Sequence, residues 1–307
     1  MLHPILKMRF TAMLWYQGES NLDGFQGTWA GPRVYACRAR AAVADWRAKF
    51  EAPNLPVFYV ELAACDNYDN AQQSFPLLRQ AQRTVLSLPG ITGFITAIDV
   101  GIGGGVHSPI KVPDGQRLAL QLLQKVYNVT GIKGADGPTL SGVPDASPST
   151  IRLSFTGATA LHTSAVNDPG TGCSTSPFEI GLSDGTWQPA SFTINSTTVS
   201  LAIRAEEAAV TVTEVRYAWL GYPQCALYSG IAGNWNSTME GVVPAAPFRV
   251  AVAAGCAPTQ TRCAVMDGTQ CCMNSDVKPD LPGGEICTAH GGGCQCKGCV
   301  GSNTPFQ

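Results

Sequence analysis

Three short apolar runs alternate with amphipathic segments over the first 130 residues, and this alternation constrains the fold more than any other feature. The apolar runs have the length of β-strands and lie at residues 9–15, 56–62 and 93–98. The amphipathic segments follow them at residues 32–50, 71–88 and 113–127. Repeats of strand and helix are typical of a parallel sheet with helices on both faces. We therefore predict a β-α-β-α-β-α layer structure in residues 1–135.

The helical segments predict how this sheet is covered. Segment 32–50 places its basic residues mostly off its apolar face, which favours a solvated surface over a nucleic-acid patch. Those residues are Arg33, Arg38, Arg40, Arg47 and Lys49. Segment 71–88 contains Pro76, which is tolerated near the first turn of a helix. Segment 113–127 is expected to present Leu118, Leu122 and Val126 to the sheet.

The segment after the first predicted strand carries a group of polar residues. Residues 15–21 have the sequence Trp-Tyr-Gln-Gly-Glu-Ser-Asn. In open α/β sheets, ligands bind in the crevice beyond the carboxyl ends of the strands. Gln17, Glu19 and Asn21 are therefore candidates to line such a crevice.

A glycine-rich loop follows the third predicted strand and carries a histidine to the same edge of the sheet. It extends from Asp99 to Pro109 and includes His107. Its glycines lack the GxGxxG spacing of a dinucleotide site. Because histidine is the usual proton shuttle near neutral pH, His107 could act as a general base toward a hydroxyl nucleophile. Asp99 or Glu19 could then orient the imidazole.

These motifs, taken in order, give residues 3–250 a resemblance to the sialate O-acetylesterases, a family of SGNH-type serine esterases. The blocks that carry it are residues 14–21, 78–82, 99–111, 115–119, 178–180, 187–190, 216–219 and 244–248. The resemblance implies a flavodoxin-like three-layer hydrolase domain. It also implies removal of O-acetyl groups from sialic acids or related acetylated sugars through an acyl-serine intermediate, with no metal and no other cofactor.

The resemblance also assigns roles to individual residues. His107 matches the family's catalytic histidine, and Gln17 is similar to the side chain that stabilises the tetrahedral oxyanion. Glu19 falls where the family keeps a carboxylate that supports the histidine or the substrate, although an acid at a helix start is the alternative interpretation. Asn21 and Trp15 are expected to contact the substrate, and for Asn21 the alternative is a residue that closes a turn.

Two departures from the family pattern bear on the mechanism. Related hydrolases place an aspartate two or three residues before the histidine, where this chain has Gly104 and Gly105. Asp99 is the nearest upstream acid, eight positions away, which makes its role as the triad acid doubtful.

The second departure concerns the nucleophile. The family's Gly-Gln-Ser-Asn-Met block lies well upstream of the Trp-Gln-Gly-Glu block, and no stretch of this chain has that sequence. Ser20 lacks the strand-to-helix turn of a serine nucleophile. We expect these residues to be the C-terminal portion of an esterase, from a truncated gene model or a fragment, with a pseudoenzyme as the alternative.

The composition changes near residue 136. Gly, Ser, Thr and Pro become frequent, and short alternating runs appear at residues 150–155, 197–203 and 210–219. This pattern predicts a β-sandwich-like domain over residues 136–253. Trp187, Tyr217 and Trp219 are expected to belong to its core, with a sugar-stacking surface as the alternative.

The last residues, 254–307, form a cysteine-rich tail. Eight of the 12 cysteines lie there, in a segment too poor in apolar residues to build a core. Disulfide cross-links are therefore expected, with metal binding by Cys294, Cys296 and Cys299 as the alternative. Sequons at Asn128, Asn195 and Asn236 agree with a glycoprotein that is secreted or lysosomal.

The overall charge limits the partners. A net charge of −2 predicts no attraction to nucleic acid or acidic membranes, and no run is long enough to span a membrane. The favoured function is a carbohydrate O-acetylesterase whose partner is an acetylated sugar, with the tail as an interaction module. The alternatives are a plant-polysaccharide acetylesterase and a non-catalytic secreted glycan-binding protein.

Overall fold

The structure, a computed structural model, describes most of residues 3–252 and four short strands beyond them. The continuous ranges are 3–22, 31–66, 71–132, 134–147, 149–166, 171–204, 211–230 and 243–252.

The first three strands form a parallel sheet. Strand β1 (Met13–Trp15) pairs with β2 (Val57–Glu61), which pairs with β3 (Thr92–Thr96), in the order β1-β2-β3. The parallel arrangement predicted from the sequence is confirmed. The strands are shorter than the apolar runs that predicted them, and β1 is not buried, since Leu14 is 47% exposed. The reason is its position at the end of the sheet, where the described residues pair with it on one side alone.

Three helices cover both faces of this sheet. Helix α1 (Pro32–Lys49) and helix α2 (Ala71–Gln82), which continues as a 3-10 helix over Arg83–Ser87, share a core cluster with Val57 and Tyr59. Helix α3 (Val112–Lys125) packs Leu118 against Val60 on the opposite face. Alternate residues of β2 thus point to opposite layers.

Three details of the helices differ from expectation. Pro76 lies inside α2 rather than in its first turn, and it is buried, so tertiary packing overrides its local preference. Arg47 is buried rather than solvated, because its guanidinium donates to the carbonyls of Leu55 and Pro89 at 3.0 and 2.6 Å. The buried face of α3 carries Arg117 and Gln121 in addition to apolar residues.

The second half of the chain consists of antiparallel sheets. One sheet has the order β4-β5-β10-β9, a second has the order β13-β11-β7-β8, and β12 pairs with β6. The strands are β4 (Thr139–Ala146), β5 (Thr150–Thr156), β6 (Leu161–Ala165), β7 (Phe178–Leu182), β8 (Trp187–Pro189), β9 (Phe192–Asn195), β10 (Thr198–Ala202), β11 (Val212–Tyr217), β12 (Cys225–Ser229) and β13 (Phe248–Ala251). We call these strands, together with the described segments that connect them, the β module.

One apolar core joins the sheets of the β module. Leu153 and Val199 of the first sheet belong to the same buried cluster as Ile180 and Val215 of the second. Tyr217 and Trp219 are buried, as the core interpretation predicted. Trp187 instead lies on the opposite face, with the Arg216 guanidinium 4.1 Å from its ring centroid.

Part of the cysteine-rich tail is described as two hairpins. Strand β14 (Gln260–Cys263) pairs with β15 (Cys271–Asn274), and β16 (Ile286–His290) pairs with β17 (Gly293–Lys297). The side chains of the tail cysteines, and with them the predicted cross-links, lie outside what the structure describes, as does the sequon at Asn236. In the β module, Cys173 and Cys225 form a disulfide.

Buried arginines connect the parallel sheet to the β module. Arg79 of α2 is fully buried and donates hydrogen bonds to the carbonyls of Leu62 and Ala63 after β2, at 2.7 and 2.9 Å. It donates two more to the carbonyls of Leu220 and Gly221 in the β module, at 2.8 and 2.9 Å. Its guanidinium therefore fixes the distance between the two halves of the chain.

Candidate active site

The residues after β1 form a closely connected turn. The side-chain amide of Gln17 donates to Asn21 Oδ1 at 2.7 Å, across a 3-10 turn at Glu19–Asn21. The backbone carbonyl of Gln17 accepts hydrogen bonds from Tyr35 Oη and Gln82 Nε2, both at 3.0 Å. Because two elements hold its backbone and Asn21 holds its amide, Gln17 has a defined position at the carboxyl end of β1.

Glu19 and Trp15 flank this turn in different environments. Glu19 is half-buried, and its charge helps to raise the pKa of Tyr16, which burial raises most strongly. Trp15 packs against Trp46 of α1, with ring centroids 4.8 Å apart. This packing favours a core role for Trp15 over contact with a substrate.

The loop after β3 carries His107 in an exposed position. Ser108 Oγ donates to the carbonyl of Val100, and Ser108 Oγ in turn accepts from the Ile110 amide at 3.2 Å. These two bonds close the base of the loop. Gly101 lies so close to the segment after β2 that a Cβ there would be 2.0 Å from the Ala64 carbonyl oxygen, so glycine is required at this position.

Asp99 lies at the start of this loop and is fully buried. Its carboxylate accepts two hydrogen bonds from the Arg117 guanidinium at 2.7 and 2.6 Å, and one from Tyr228 Oη at 2.8 Å. Tyr228 belongs to β12, so this group is a second buried connection to the β module. Both carboxylate oxygens are thus occupied by donors other than His107, which favours a structural role for Asp99 over the role of triad acid.

Lys111 and Tyr16 form a contact between the segment after β1 and the segment after β3. Lys111 Nζ donates to Tyr16 Oη at 3.1 Å and lies 4.2 Å from the centroid of the Tyr16 ring. Tyr16 directly precedes Gln17, and Lys111 follows His107 by four residues. We call residues 17–21 the Gln17 turn and residues 99–109 the His107 loop. The contact joins the residue before the Gln17 turn to the segment after the His107 loop.

Two acids near this edge were not identified as candidates from the sequence. Asp66, which follows β2, accepts a hydrogen bond from the backbone amide of Gly104 at 2.6 Å. Asp114, in the first turn of α3, is 4% exposed, and among the described residues neither of its oxygens has a hydrogen-bond donor. Burial raises the pKa of Asp114 to about 6, against the opposing effect of Arg117 and Lys111. An acid within a few residues of the carboxyl end of the second strand was the signal that could have identified Asp66.

In the described part of the chain, no group of three or more His, Cys, Asp or Glu side chains is arranged to hold a metal ion. Within the same ranges, no helix is long and apolar enough to cross a membrane. The polar groups on the segments after the strands include the Gln17 amide, the His107 imidazole and the Lys111 amine. Such a set can transfer protons and stabilise a developing oxyanion.

Comparison with known proteins agrees with this chemistry. Residues 2–124 match the family described as carbohydrate esterase, sialic acid-specific acetylesterase. The sialate O-acetylesterase of Homo sapiens is 24% identical over 251 residues, covering 74% of this chain and 45% of the relative. The sialate O-acetylesterase of Mus musculus is 26% identical over 273 residues, covering 81% and 46%. The chain thus spans slightly less than half the length of these curated relatives.

A solved structure extends the similarity to the fold. The crystal structure of a carbohydrate acetylesterase from Xanthomonas citri superimposes with a TM-score of 0.65 at 26% identity, covering 81% of this chain and 52% of that protein. The superposition covers 81% of this chain, whereas the family match covers residues 2–124 alone. The structural similarity therefore includes part of the β module.

Proposed function

We propose that this chain removes O-acetyl groups from sialic acids or related acetylated sugars, because its residues 2–124 match the family described as carbohydrate esterase, sialic acid-specific acetylesterase. The observation that carries this proposal is the pairing of the Gln17 turn with the His107 loop through Lys111 and Tyr16. An amide donor and an imidazole at one edge of a parallel sheet are what acyl transfer to a serine requires.

The proposed reaction has two steps. A serine hydroxyl attacks the acetyl carbonyl, His107 accepts its proton and passes it to the departing sugar oxygen, and an acetyl-serine remains. His107 then takes a proton from water, the resulting hydroxide releases acetate, and the serine regains the proton. Glu19 supports the imidazole or the substrate in this scheme.

Gln17 is proposed to stabilise the oxyanion in both steps. Its amide carries two N–H groups, of which Asn21 accepts one at 2.7 Å, and the second is proposed to point to the reacting carbonyl. The fixed backbone of Gln17 supports this role, because a donor that is already oriented costs no reorganisation during the reaction. Asn21 then orients Gln17 in addition to any contact with the sugar.

The serine is proposed to come from a segment encoded upstream of these residues. Ser20 lies in the exposed 3-10 turn at Glu19–Asn21 and not in a strand-to-helix elbow. Among the described strands, β1 has a partner on one side alone, which leaves its other edge available for a further parallel strand. An in-frame Gly-Gln-Ser-Asn block upstream of Met1 in the gene would support this, and its absence would remove the esterase mechanism for this gene.

The experiment that tests the function is labelling of the complete gene product with a fluorophosphonate, together with release of acetate from O-acetylated sialic acid. We expect His107→Ala to abolish both labelling and turnover, and Gln17→Ala to lower kcat by about a hundredfold. Ser20→Ala is the matched control and is expected to retain both. Unchanged turnover in His107→Ala would refute the proposal.

The same assay separates the alternatives. Preferential turnover of acetylated plant polysaccharide would identify a polysaccharide acetylesterase with the same loop chemistry. Binding to a glycan array without turnover by the complete gene product would identify a glycan-binding protein. Neither result would be compatible with the sialate-specific reaction.

A secreted or lysosomal location is proposed from three features of the β module and its flank. The Cys173–Cys225 disulfide is typical of an oxidising compartment. Asn128 and Asn195, which head two of the sequons, are both exposed. A mass decrease on treatment with an N-glycosidase would support this location, whereas an unglycosylated protein purified from cytosol would contradict it.

A further inference from the structure

We propose that Asp66 is the positioning residue of the loop that carries His107, taking the place of the acid that this loop lacks. This inference rests on the function proposed above, since it concerns the same histidine. It assigns the role to a residue in the segment after β2, whereas the loop itself follows β3.

The contact that supports it joins the ends of two neighbouring strands. Asp66 lies five residues beyond β2, and its Oδ1 accepts a hydrogen bond from the Gly104 amide at 2.6 Å. Gly103 lies beside the same carboxylate, because a Cβ built there would be 3.5 Å from Asp66 Oδ2. The carboxylate thus lies against the part of the loop that precedes His107 by three residues.

The loop needs such a contact because of its composition. Residues 101–105 include four glycines, and glycine loses more conformational freedom on ordering than any other residue. Ile102 and Gly105 form a tight turn, in which Gly104 has a φ of +79°. Ser108 fixes the base of the loop through Val100, so a bond at Gly104 is what fixes its tip.

The nearest upstream acid, Asp99, is occupied by other partners. Asp99 is fully buried, and its oxygens accept hydrogen bonds from Arg117 and Tyr228. Asp66 is exposed on the same side as the loop and contacts it directly. A carboxylate that accepts a backbone N–H forms one of the stronger hydrogen bonds in proteins, which suits a flexible loop.

Two variants of the complete gene product separate the hydrogen bond from other effects. Asp66→Ala removes the acceptor, whereas the amide oxygen of Asp66→Asn can still accept from Gly104. Asp184→Ala is the matched control, because exposed Asp184 accepts from the Thr186 amide at 2.9 Å in a turn of the β module. Hydrogen exchange of peptides over residues 99–110 is measured without substrate, and kcat and KM are measured with an O-acetylated sialic acid.

We expect Asp66→Ala to lose roughly tenfold in exchange protection and to lower kcat roughly ten- to hundredfold, with KM changed less than twofold. Asp66→Asn should retain both quantities within roughly threefold, and Asp184→Ala should match the wild type. Wild-type exchange or wild-type kcat in Asp66→Ala would overturn the inference. So would an Asp66→Asn variant as impaired as Asp66→Ala, because the charge rather than the bond would then be responsible.

The failure of the proposed function would look different. A wild-type protein without acetylesterase turnover would refute the function, while the exchange measurement would still decide the loop contact. Loss of protection in Asp66→Ala would then support the ordering of the loop by Asp66, and unchanged protection would overturn it.

Discussion

The buried connection between the parallel sheet and the β module differs sharply from the exposed edge that carries the candidate catalytic groups. In the connection, which we call the junction, Arg79, Asp99 and Arg117 have no exposed surface, and Tyr228 is 3% exposed. The Arg79 guanidinium alone donates to four carbonyls. At the site edge, His107 and Asp66 are exposed and Gln17 is half-buried.

The buried polar side chains of this protein are hydrogen-bonded at the junction, whereas its candidate catalytic side chains are more exposed. A buried charge is tolerated when hydrogen bonds satisfy it, so the junction tolerates little change. A group that must meet a substrate keeps part of its hydrogen-bonding capacity unused, so the site edge is held by fewer contacts. Stability is therefore expected to depend on the junction and activity on the edge.

The strongest test of this division is Arg79→Met, which keeps the volume of the side chain but removes the guanidinium. Four carbonyls then lose a donor, and we expect a loss of about 3–5 kcal/mol in the free energy of unfolding. For a protein of this size, this corresponds to a decrease in Tm on the order of 10 °C. Thermal unfolding followed by circular dichroism measures it.

The matched control for Arg79 is an arginine outside the junction. Arg38 is exposed on α1, and Arg38→Met is expected to change the free energy of unfolding by less than about 0.5 kcal/mol. If Arg79→Met unfolded at the wild-type temperature, the junction would not be the source of stability, and the comparison would fail.

The contrast also explains which parts of the fold were predictable from the sequence. The alternation of apolar runs and amphipathic segments predicted the parallel sheet and its helices within a few residues at most ends, because burial follows periodicity. The same alternation predicted that Arg47 is solvated and that Leu122 faces the interior. In the structure, Arg47 is buried and Leu122 is half-buried. The partners that bury Arg47 are carbonyls of distant loops, which periodicity does not encode.

The site was predictable in its location and less so in its contacts. The rule that functional groups gather at the carboxyl ends of parallel strands selected the segments after β1 and β3, which contact each other through Tyr16 and Lys111. The same rule could not indicate that Tyr228, 129 residues away, donates a hydrogen bond to the Asp99 carboxylate. Nor could it indicate that Asp66 reaches Gly104, because that contact depends on how two loops approach each other after folding.

Asp114 tests how burial of a carboxyl group near the site edge affects the stability of the protein. Its pKa of about 6 in the folded protein lies above its usual value of 3.8, chiefly because of burial. The folded state therefore binds more protons than the unfolded state between these values, and stability falls as the pH rises through about 4 to 6. The contribution that is present below pH 4 and lost above pH 6 is about 2–3 kcal/mol.

Asp114→Asn removes this titration while keeping the shape of the side chain. We expect the variant to be more stable than the wild type by about 2 kcal/mol at pH 7.5 and to match it near pH 3.5. Urea unfolding of both proteins across this range gives the difference, which isolates Asp114 from other titrating groups. A difference that does not vary with pH would show that the carboxyl titrates normally and is not part of the buried layer.

The smallest expected effect concerns a single hydroxyl of the junction. Tyr228→Phe removes the donor to Asp99 Oδ2 at 2.8 Å but leaves the bidentate bond from Arg117 in place. Because the carboxylate keeps two of its three donors, the loss in the free energy of unfolding should be about 1 kcal/mol, well below that of Arg79→Met. Tyr127→Phe, at a site that is 60% exposed, is the control and should change nothing measurable. A loss as large as that of Arg79→Met would mean that the hydroxyl, and not the arginines, holds the β module in place, which would reverse the order of contributions inferred for the junction.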